Sequence, residues 1–362
     1  MLSATRLQRE AEPPIDLTSG CTLKILITGH TGFKGAWLGV LLKNLGHEIS
    51  GLSLQARPTS LFHGGHLDRL YEKSFTGDVA DYETVKGVLD QVQPDRIFHL
   101  AAQPLVRYSY NHPRETFQTN VEGTLNVLEA ASQVLSDHAS VIVITTDKVY
   151  KDQHKVEGYD ESSPLGGLDP YSASKAMADI LTQSWISCNP DMRIAIARAG
   201  NVIGGGDDSA ERLLPDLISA FENHKSPVLR NPKAVRPWQH VLDCLYGYWT
   251  LSENIEVSAN RTAWNFGPEP ESFAEVELVA EITARLYGAE ARWLAPESVQ
   301  PHETSFLTLN SDKAKKALSW RSGLNLERAI DWTVSWHKAV ALGADPYLET
   351  NKQVMDYLED QT

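Results

Sequence analysis

A doubly wound parallel α/β sheet, followed by a smaller, mixed C-terminal substrate lobe, is the fold this sequence predicts. Three observations lead there. Short apolar runs alternate with helical patterns from residue 23 to about 200. A glycine-rich turn, Gly29-His-Thr-Gly32-Phe-Lys-Gly35, joins the first run to the first helix. The run Val141-Ile-Val-Ile144 is apolar at every position, as expected of a strand covered on both faces.

Residues 23–28 form a short apolar run ending in glycine, the first strand. Residues 33–45 carry Trp37, Leu38, Val40, Leu41, Leu42 and Leu45, a helix buried over a wide arc. A second strand covers 48–54, a helix lies near 81–92, and 96–101 is a further strand. A long helix spans 113–135, with Val121, Leu125 and Leu128 on one face. The strand at 141–144 is followed by a helix over 171–186 and a strand over 194–199. Beyond residue 200 the rhythm breaks. Gly204-Gly-Gly206, Pro215, Pro227, Pro232 and Pro237 interrupt short elements, and Arg212, Arg230, Lys233 and Arg236 cluster there. Loop-rich sequence with convergent cations suits a lobe that closes over an anionic ligand. Residues 1–21 read as a polar extension. The nucleotide-binding domain is placed at 22–200 and 236–267, and the substrate lobe at 201–235 and 268–362.

The 362 residues suffice for one large α/β unit with an attached lobe. Apolar content of 42% and charged content of 22% are globular values. A formal charge of −14 argues against nucleic acid and anionic membranes as partners. Cys21, Cys188 and Cys244 are far apart, with no CxxC spacing, and the twelve histidines include no HExxH. Neither a disulfide framework nor a metal site is indicated, and a cytoplasmic location is the default. No run approaches the ~20 apolar residues of a membrane span, and acidic residues and prolines from Glu10 to Asp16 stand where a signal peptide would be apolar.

The glycine turn follows a strand and opens a helix. Glycines allow the tight bend and close approach that a pyrophosphate needs, and its charge then meets the helix N-terminus. The spacing GxxGxxG is a variant of the Rossmann-type fingerprint. Ser53, Leu54 and Gln55, then Arg57, stand where an acidic residue would bind the adenosine ribose, so NAD and NADP are not distinguished by the second strand. Asp78, after Gly77, suits the adenine amino group or a plain turn. Tyr171 and Lys175 are four apart on a helix and share a face, where the ammonium favours the phenolate. Thr146-Asp147-Lys148 ends a parallel strand, the edge that faces the ligand crevice. Thr146 can hold a reacting hydroxyl. Asp147 can protonate a leaving hydroxide if its site is dry, and Lys148 can accept a proton if its pKa is depressed. Arg236-Pro-Trp-Gln-His240 adds a cation, an aromatic ring to stack on a base or fill the core, and an imidazole. His302 and Glu303 read as a structural pair.

Several blocks resemble the extended short-chain dehydrogenase/reductases. They are Thr-Gly-His-Thr-Gly-Phe-Lys-Gly (28–35), His-Leu-Ala-Ala-Gln-Pro-Leu-Val-Arg (99–107), Thr-Asp-Lys (146–148), Tyr-Ser-Ala-Ser-Lys (171–175), Arg-Ala-Gly-Asn-Val-Ile-Gly-Gly-Gly-Asp (198–207), and Arg230-Asn-Pro with Arg-Pro-Trp-Gln-His (236–240). Within that group the nucleotide-sugar 4,6-dehydratases are most similar, in particular the subgroup acting on CDP-glucose, which carries lysine at position 148 where others carry glutamate. The resemblance implies NAD held by Gly29, Thr31, Gly32, Phe33, Lys34, Gly35, Asp78, Val79, Leu100, Ala101, Ala102, Tyr171 and Lys175. It implies catalysis by Thr146, Asp147, Lys148, Tyr171 and Lys175. Gln103, Arg107, Asn201, Arg212, Arg230, Arg236 and His240 would meet CDP-glucose. A homodimer built on the helices at 113–135 and 171–186, or a dimer of dimers, is also implied. A 4-epimerase or a dehydratase for another nucleotide is the alternative. One departure stands out: the family's aspartate-tryptophan after the triple glycine is Asp207-Asp208 here.

Overall fold

The computed structural model describes residues 21–136, 138–290, 292–296 and 305–361. Residues 1–20 of the extension, and His302 with Glu303, lie outside the described residues. Six strands occupy this region, the five expected and one more at β3: β1 (Lys24–Thr28), β2 (Glu48–Ser53), β3 (Lys73–Thr76), β4 (Arg96–His99), β5 (Ser140–Thr146) and β6 (Arg193–Ala199). With a seventh, Ala263–Asn265, they form one sheet in the order 263–265, β6, β5, β4, β1, β2, β3. Every pairing in it is parallel. The chain order reverses between β1 and β4, which opens a crevice at their carboxyl ends. The sequence shows no strand signal at β3. Its residues are mostly exposed, as a sheet edge permits, so the apolar pattern is lost.

The helix Phe33–Asn44 is buried at nine positions, because it lies under the sheet and under the C-terminal helix Pro346–Glu359. Trp37 is fully buried there and donates its indole N–H to the Gly205 carbonyl at 2.9 Å. On the other side of that glycine run, an added Cβ on Gly205 would sit 2.1 Å from the Trp336 ring. The triple glycine is thus a slot between two tryptophans.

The segment 113–134 is continuous helix, but it passes through a π-turn at Gln118–Glu122. Beyond residue 200 the chain is far more helical than its prolines suggest. Leu213–Glu222, Val241–Glu253, Val276–Tyr287, Leu326–Ala341 and Pro346–Glu359 are all helices. One apolar core joins the sheet residues Ile25, Phe98 and Ile142 to Trp320, Trp336, Val354 and Tyr357. A boundary at 268 therefore divides a core that the folded chain keeps whole. The segment standing over the crevice is instead 201–235, closed by the small antiparallel pair Val235–Pro237 with Phe273–Glu275. No helix among the described residues is long and apolar enough to cross a membrane.

Candidate active site

A single cleft of about 920 Å³ runs along the carboxyl ends of the strands, from the β2 end to the arginines beyond residue 200. At one end stands the glycine turn. Gly29 has φ +76°, and an added Cβ would lie 2.8 Å from the Ala101 amide nitrogen. A Cβ on Gly35 would lie 2.2 Å from the Gly29 carbonyl oxygen. Gly32 caps the helix Phe33–Asn44 without a side-chain hydrogen bond, leaving the first helical amides to a ligand. A backbone cradle open to close approach and ending on an uncapped helix N-terminus fits a dinucleotide pyrophosphate. All thirteen residues expected at the cofactor, from Gly29 to Lys175, line the cleft.

Two of the turn's side chains do not point at solvent. His30 is buried between the rings of Phe62 and Tyr71, and burial pushes its pKa down to about 4, so it is neutral. Lys34 reaches under the cleft to the Tyr248 hydroxyl at 3.3 Å, and burial lowers its pKa.

The reacting centre forms where β5 ends and the helix Pro170–Cys188 begins. Asp169 caps that helix through the Ser172 amide at 2.9 Å, and Pro170 occupies its first turn. This start places Tyr171 and Lys175 on the cleft side. Lys175 donates to the Ile144 carbonyl at 3.0 Å. Burial, and next the nearby Lys34 charge, hold its pKa at about 8. Burial pushes the Tyr171 hydroxyl up to about 12, opposed by a hydrogen bond with Thr146. Without a ligand the phenol therefore keeps its proton at neutral pH. The Thr146 hydroxyl also donates to Asp147 Oδ1 at 2.9 Å. Asp147 is 1% exposed, and its Oδ2 has no hydrogen-bond partner. That oxygen lies against the Gly200 backbone, where an added Cβ would stand 1.8 Å away. Lys148 lines the cleft, half buried.

Four arginines converge at the far end. Arg107 pairs with Glu211 at 3.4 Å, Arg212 with Asp207 at 3.0 Å, and Arg230 donates to the Glu211 carbonyl at 2.7 Å. Arg236 is buried at the cleft wall and donates to the Val235 carbonyl at 2.9 Å. Asn201 is beside them with φ +43°. Such a cluster can neutralise a diphosphate inside an acidic protein.

Two expected substrate contacts are corrected by the fold. The Gln103 amide is turned inward: its Nε2 donates to Thr116 at 2.9 Å and to the Leu105 carbonyl at 3.1 Å, and its Oε1 accepts from the Leu105 amide at 2.6 Å. It shapes the loop and does not line the cleft. His240 is fully buried between Trp37 and Trp332, caps the helix Val241–Glu253, and is likewise absent from the lining. Trp238 touches the cleft, but its indole donates to the Ala274 carbonyl at 3.0 Å and its ring packs in the core.

Sequence reading missed three supports of the site. Asn120, in the π-turn, holds both the Gln103 backbone and the Ser174 hydroxyl. The buried pair Asp179–Arg198, 2.7 Å apart, also binds Thr145 and Tyr150 behind the strand end. Tyr248 receives Lys34. No local pattern marks Asn120, Asp179 or Tyr248; only Arg198, which opens the block 198–207, and Ser174, inside the Tyr-Ser-Ala-Ser-Lys block, offered a hint.

The profile of the family described as GDP-mannose 4,6 dehydratase matches residues 26–333. A CDP-glucose 4,6-dehydratase of Salmonella typhimurium (strain LT2) is 39% identical over 351 residues, covering 94% of this chain and 97% of that protein. A dTDP-glucose 4,6-dehydratase of Haemophilus influenzae is 27% identical over 341 residues, 87% of this chain and 98% of that protein. The crystal structure of dTDP-glucose 4,6-dehydratase from Bacillus anthracis in complex with NAD superposes with a TM-score of 0.77 at 22% identity, covering 90% of this chain and 100% of that one. At that identity the likeness is one of fold.

Proposed function

The chain belongs to the GDP-mannose 4,6 dehydratase family, and on that premise we propose that it converts CDP-D-glucose to CDP-4-dehydro-6-deoxy-D-glucose and water. One observation carries the reading. The dry Asp147 carboxyl, with an unpartnered oxygen, stands beside Thr146 and Tyr171 in a cleft that begins at a dinucleotide cradle. Oxidation or epimerisation at C4 needs the tyrosine and lysine but no such acid. The choice of CDP is supported by 39% identity to the CDP-glucose enzyme against 27% to the dTDP-glucose enzyme, and by Lys148.

NAD, when bound, supplies a site that accepts hydride from C4 and returns it to C6. Tyr171 takes the C4 hydroxyl proton, and Thr146 orients that hydroxyl. The Lys175 ammonium, one turn along the same helix, favours the phenolate form of Tyr171. A C4 ketone then acidifies the C5 hydrogen, which we assign to Lys148. Asp147 protonates the C6 hydroxyl as it leaves, in a site that excludes water. Arg107, Arg212, Arg230 and Arg236 hold the CDP diphosphate, with Asn201 at the sugar. The helices Pro113–Phe117, Gly123–Val134 and Pro170–Cys188 would form a homodimer face, on which Met177 and Ile180 are exposed. Cys21, Cys188 and Cys244 are unbridged, which suits the cytoplasm.

The test is to supply CDP-, dTDP-, GDP- and UDP-glucose separately, with deuterium at C4. Only CDP-glucose should yield a keto-sugar lighter by one water, with the label recovered at C6. Label retained at C4 without loss of water would make the protein a 4-epimerase. NADH accumulating in proportion to sugar consumed would make it an ordinary dehydrogenase.

A further inference from the structure

The end of β2 is where this fold meets the adenosine ribose, and a carboxylate there normally selects the free 2′-hydroxyl of NAD. Ser53, Leu54 and Gln55 provide none, and the Ser53 hydroxyl is paired with Thr31 at 2.7 Å. Arg57 lines the same end of the cleft, with 55% of its side chain exposed. By charge and place it is the kind of residue that receives the 2′-phosphate of NADP. Yet its guanidinium is ion-paired to Asp208 Oδ1. The other carboxylate oxygen of Asp208 accepts from the Thr59 hydroxyl at 2.6 Å, and its side chain is only 16% exposed. Ser60 pins the Arg57 carbonyl through its amide at 3.0 Å and its hydroxyl at 2.7 Å. Asp208 comes from the loop beyond the triple glycine, 151 residues away along the chain. It is held on both oxygens and so remains in place.

We propose that Asp208 sets the preference for NAD over NADP, acting from behind the cleft lining by engaging the arginine that would otherwise bind a 2′-phosphate. A phosphate entering there must displace a carboxylate and then remain near its charge. The missing acidic residue of the second strand is thus supplied from the loop beyond the triple glycine, through its pairing with Arg57. This inference rests on the reading of the cleft as a dinucleotide site, not on the sugar chemistry.

Calorimetric titration of the purified protein with NAD⁺ and NADP⁺, at one fixed ionic strength, tests it. Asp208→Asn can still accept from Thr59 but loses its charge. It should tighten NADP⁺ binding by about tenfold or more, one charge-assisted hydrogen bond's worth, while NAD⁺ changes little. The gain should vanish in Asp208→Asn/Arg57→Ala. An NADP⁺-to-NAD⁺ Kd ratio within about twofold of wild type in Asp208→Asn, or a gain that survives loss of Arg57, overturns the proposal. Should Asp208→Asn fold poorly, Arg57→Ala alone decides. It should leave wild-type NADP⁺ affinity nearly unchanged, and a tenfold or greater loss would show that Asp208 does not withhold the arginine. Wild-type protein that binds neither dinucleotide would overturn the cofactor reading itself.

Discussion

Asp147 and Tyr171 meet the cleft on different terms. Tyr171 is held neutral by burial, opposed by its hydrogen bond with Thr146, and a cationic ligand beside it would lower its pKa, so its state depends on what is bound. Asp147 has one oxygen fixed by Thr146 and one left unpartnered in a site 1% exposed. Leaving a buried polar atom unmade costs about 1–3 kcal/mol, which suggests that a ligand group completes it. Replacing Asp147 with Asn keeps the shape and removes the carboxyl that the proposed reaction uses as its acid. Turnover should fall by roughly 10²–10⁴ with KM within a few-fold, the range general acids contribute. Steady-state assays of keto-sugar formation check this; unchanged kcat would remove Asp147 from the reaction. At this scale the sequence was informative about chemistry and silent about direction. Tyr171, Lys175 and the 146–148 triplet face the cleft as their local periodicity implied. Gln103 and His240 carry suitable groups but turn inward, because tryptophan rings around His240 and the loop carbonyls around Gln103 claim them first.

The elements that matter are the strand ends and the two helices they feed. The helix Phe33–Asn44 can start against β1 only because Gly35 lets it pass the Gly29 carbonyl. Gly35→Ala would force a Cβ into that oxygen, with an overpacking cost of about 1–3 kcal/mol. Thermal unfolding should shift down, and NAD⁺ affinity should drop by roughly tenfold or more, as a misplaced cradle loses its amide contacts. Unchanged affinity in a titration would mean that the turn does not carry the pyrophosphate. Buried strands were legible, since apolar runs record burial on both faces. The edge strand β3 and the helices after residue 200 were not. An edge strand has no unbroken apolar run, and Pro215 falls in the first turn of the helix Leu213–Glu222, where a helix tolerates it, so a proline there does not exclude one.

Across the molecule, a buried carboxyl ties the C-terminal segment to the helix Val241–Glu253. Asp243, fully buried, accepts from the Gly323 amide at 2.7 Å, Ser322 at 2.8 Å and Tyr357 at 2.9 Å. Burial nonetheless raises its pKa to about 6. The folded pKa is above that of an unfolded aspartate, near 3.9, so the native state binds the extra proton between these values. Stability from this group is fully present below about pH 4 and is lost as pH rises through about 6, a change on the order of 3 kcal/mol. Asp243→Asn does not titrate. Relative to that variant, wild type should gain stability as pH falls from 7 to about 4.5, measured by urea unfolding across a pH series. A difference that stays constant with pH would show that Asp243 titrates alike in both states. The same continuity of core explains why the expected division at 268 is not a structural seam.

The sequence by itself determined the buried strands of the parallel sheet up to residue 200, the glycine turn and the candidate groups at 146–148 and 171–175. Each of these is written in residues close together, as periodicity, spacing or a glycine run. The tertiary structure alone decided which polar groups reach the cleft, how Asp208 meets Arg57, and that the last helices share the core of the first. Those depend on burial between segments far apart in the chain, and no local pattern encodes which of two buried neighbours will claim a side chain.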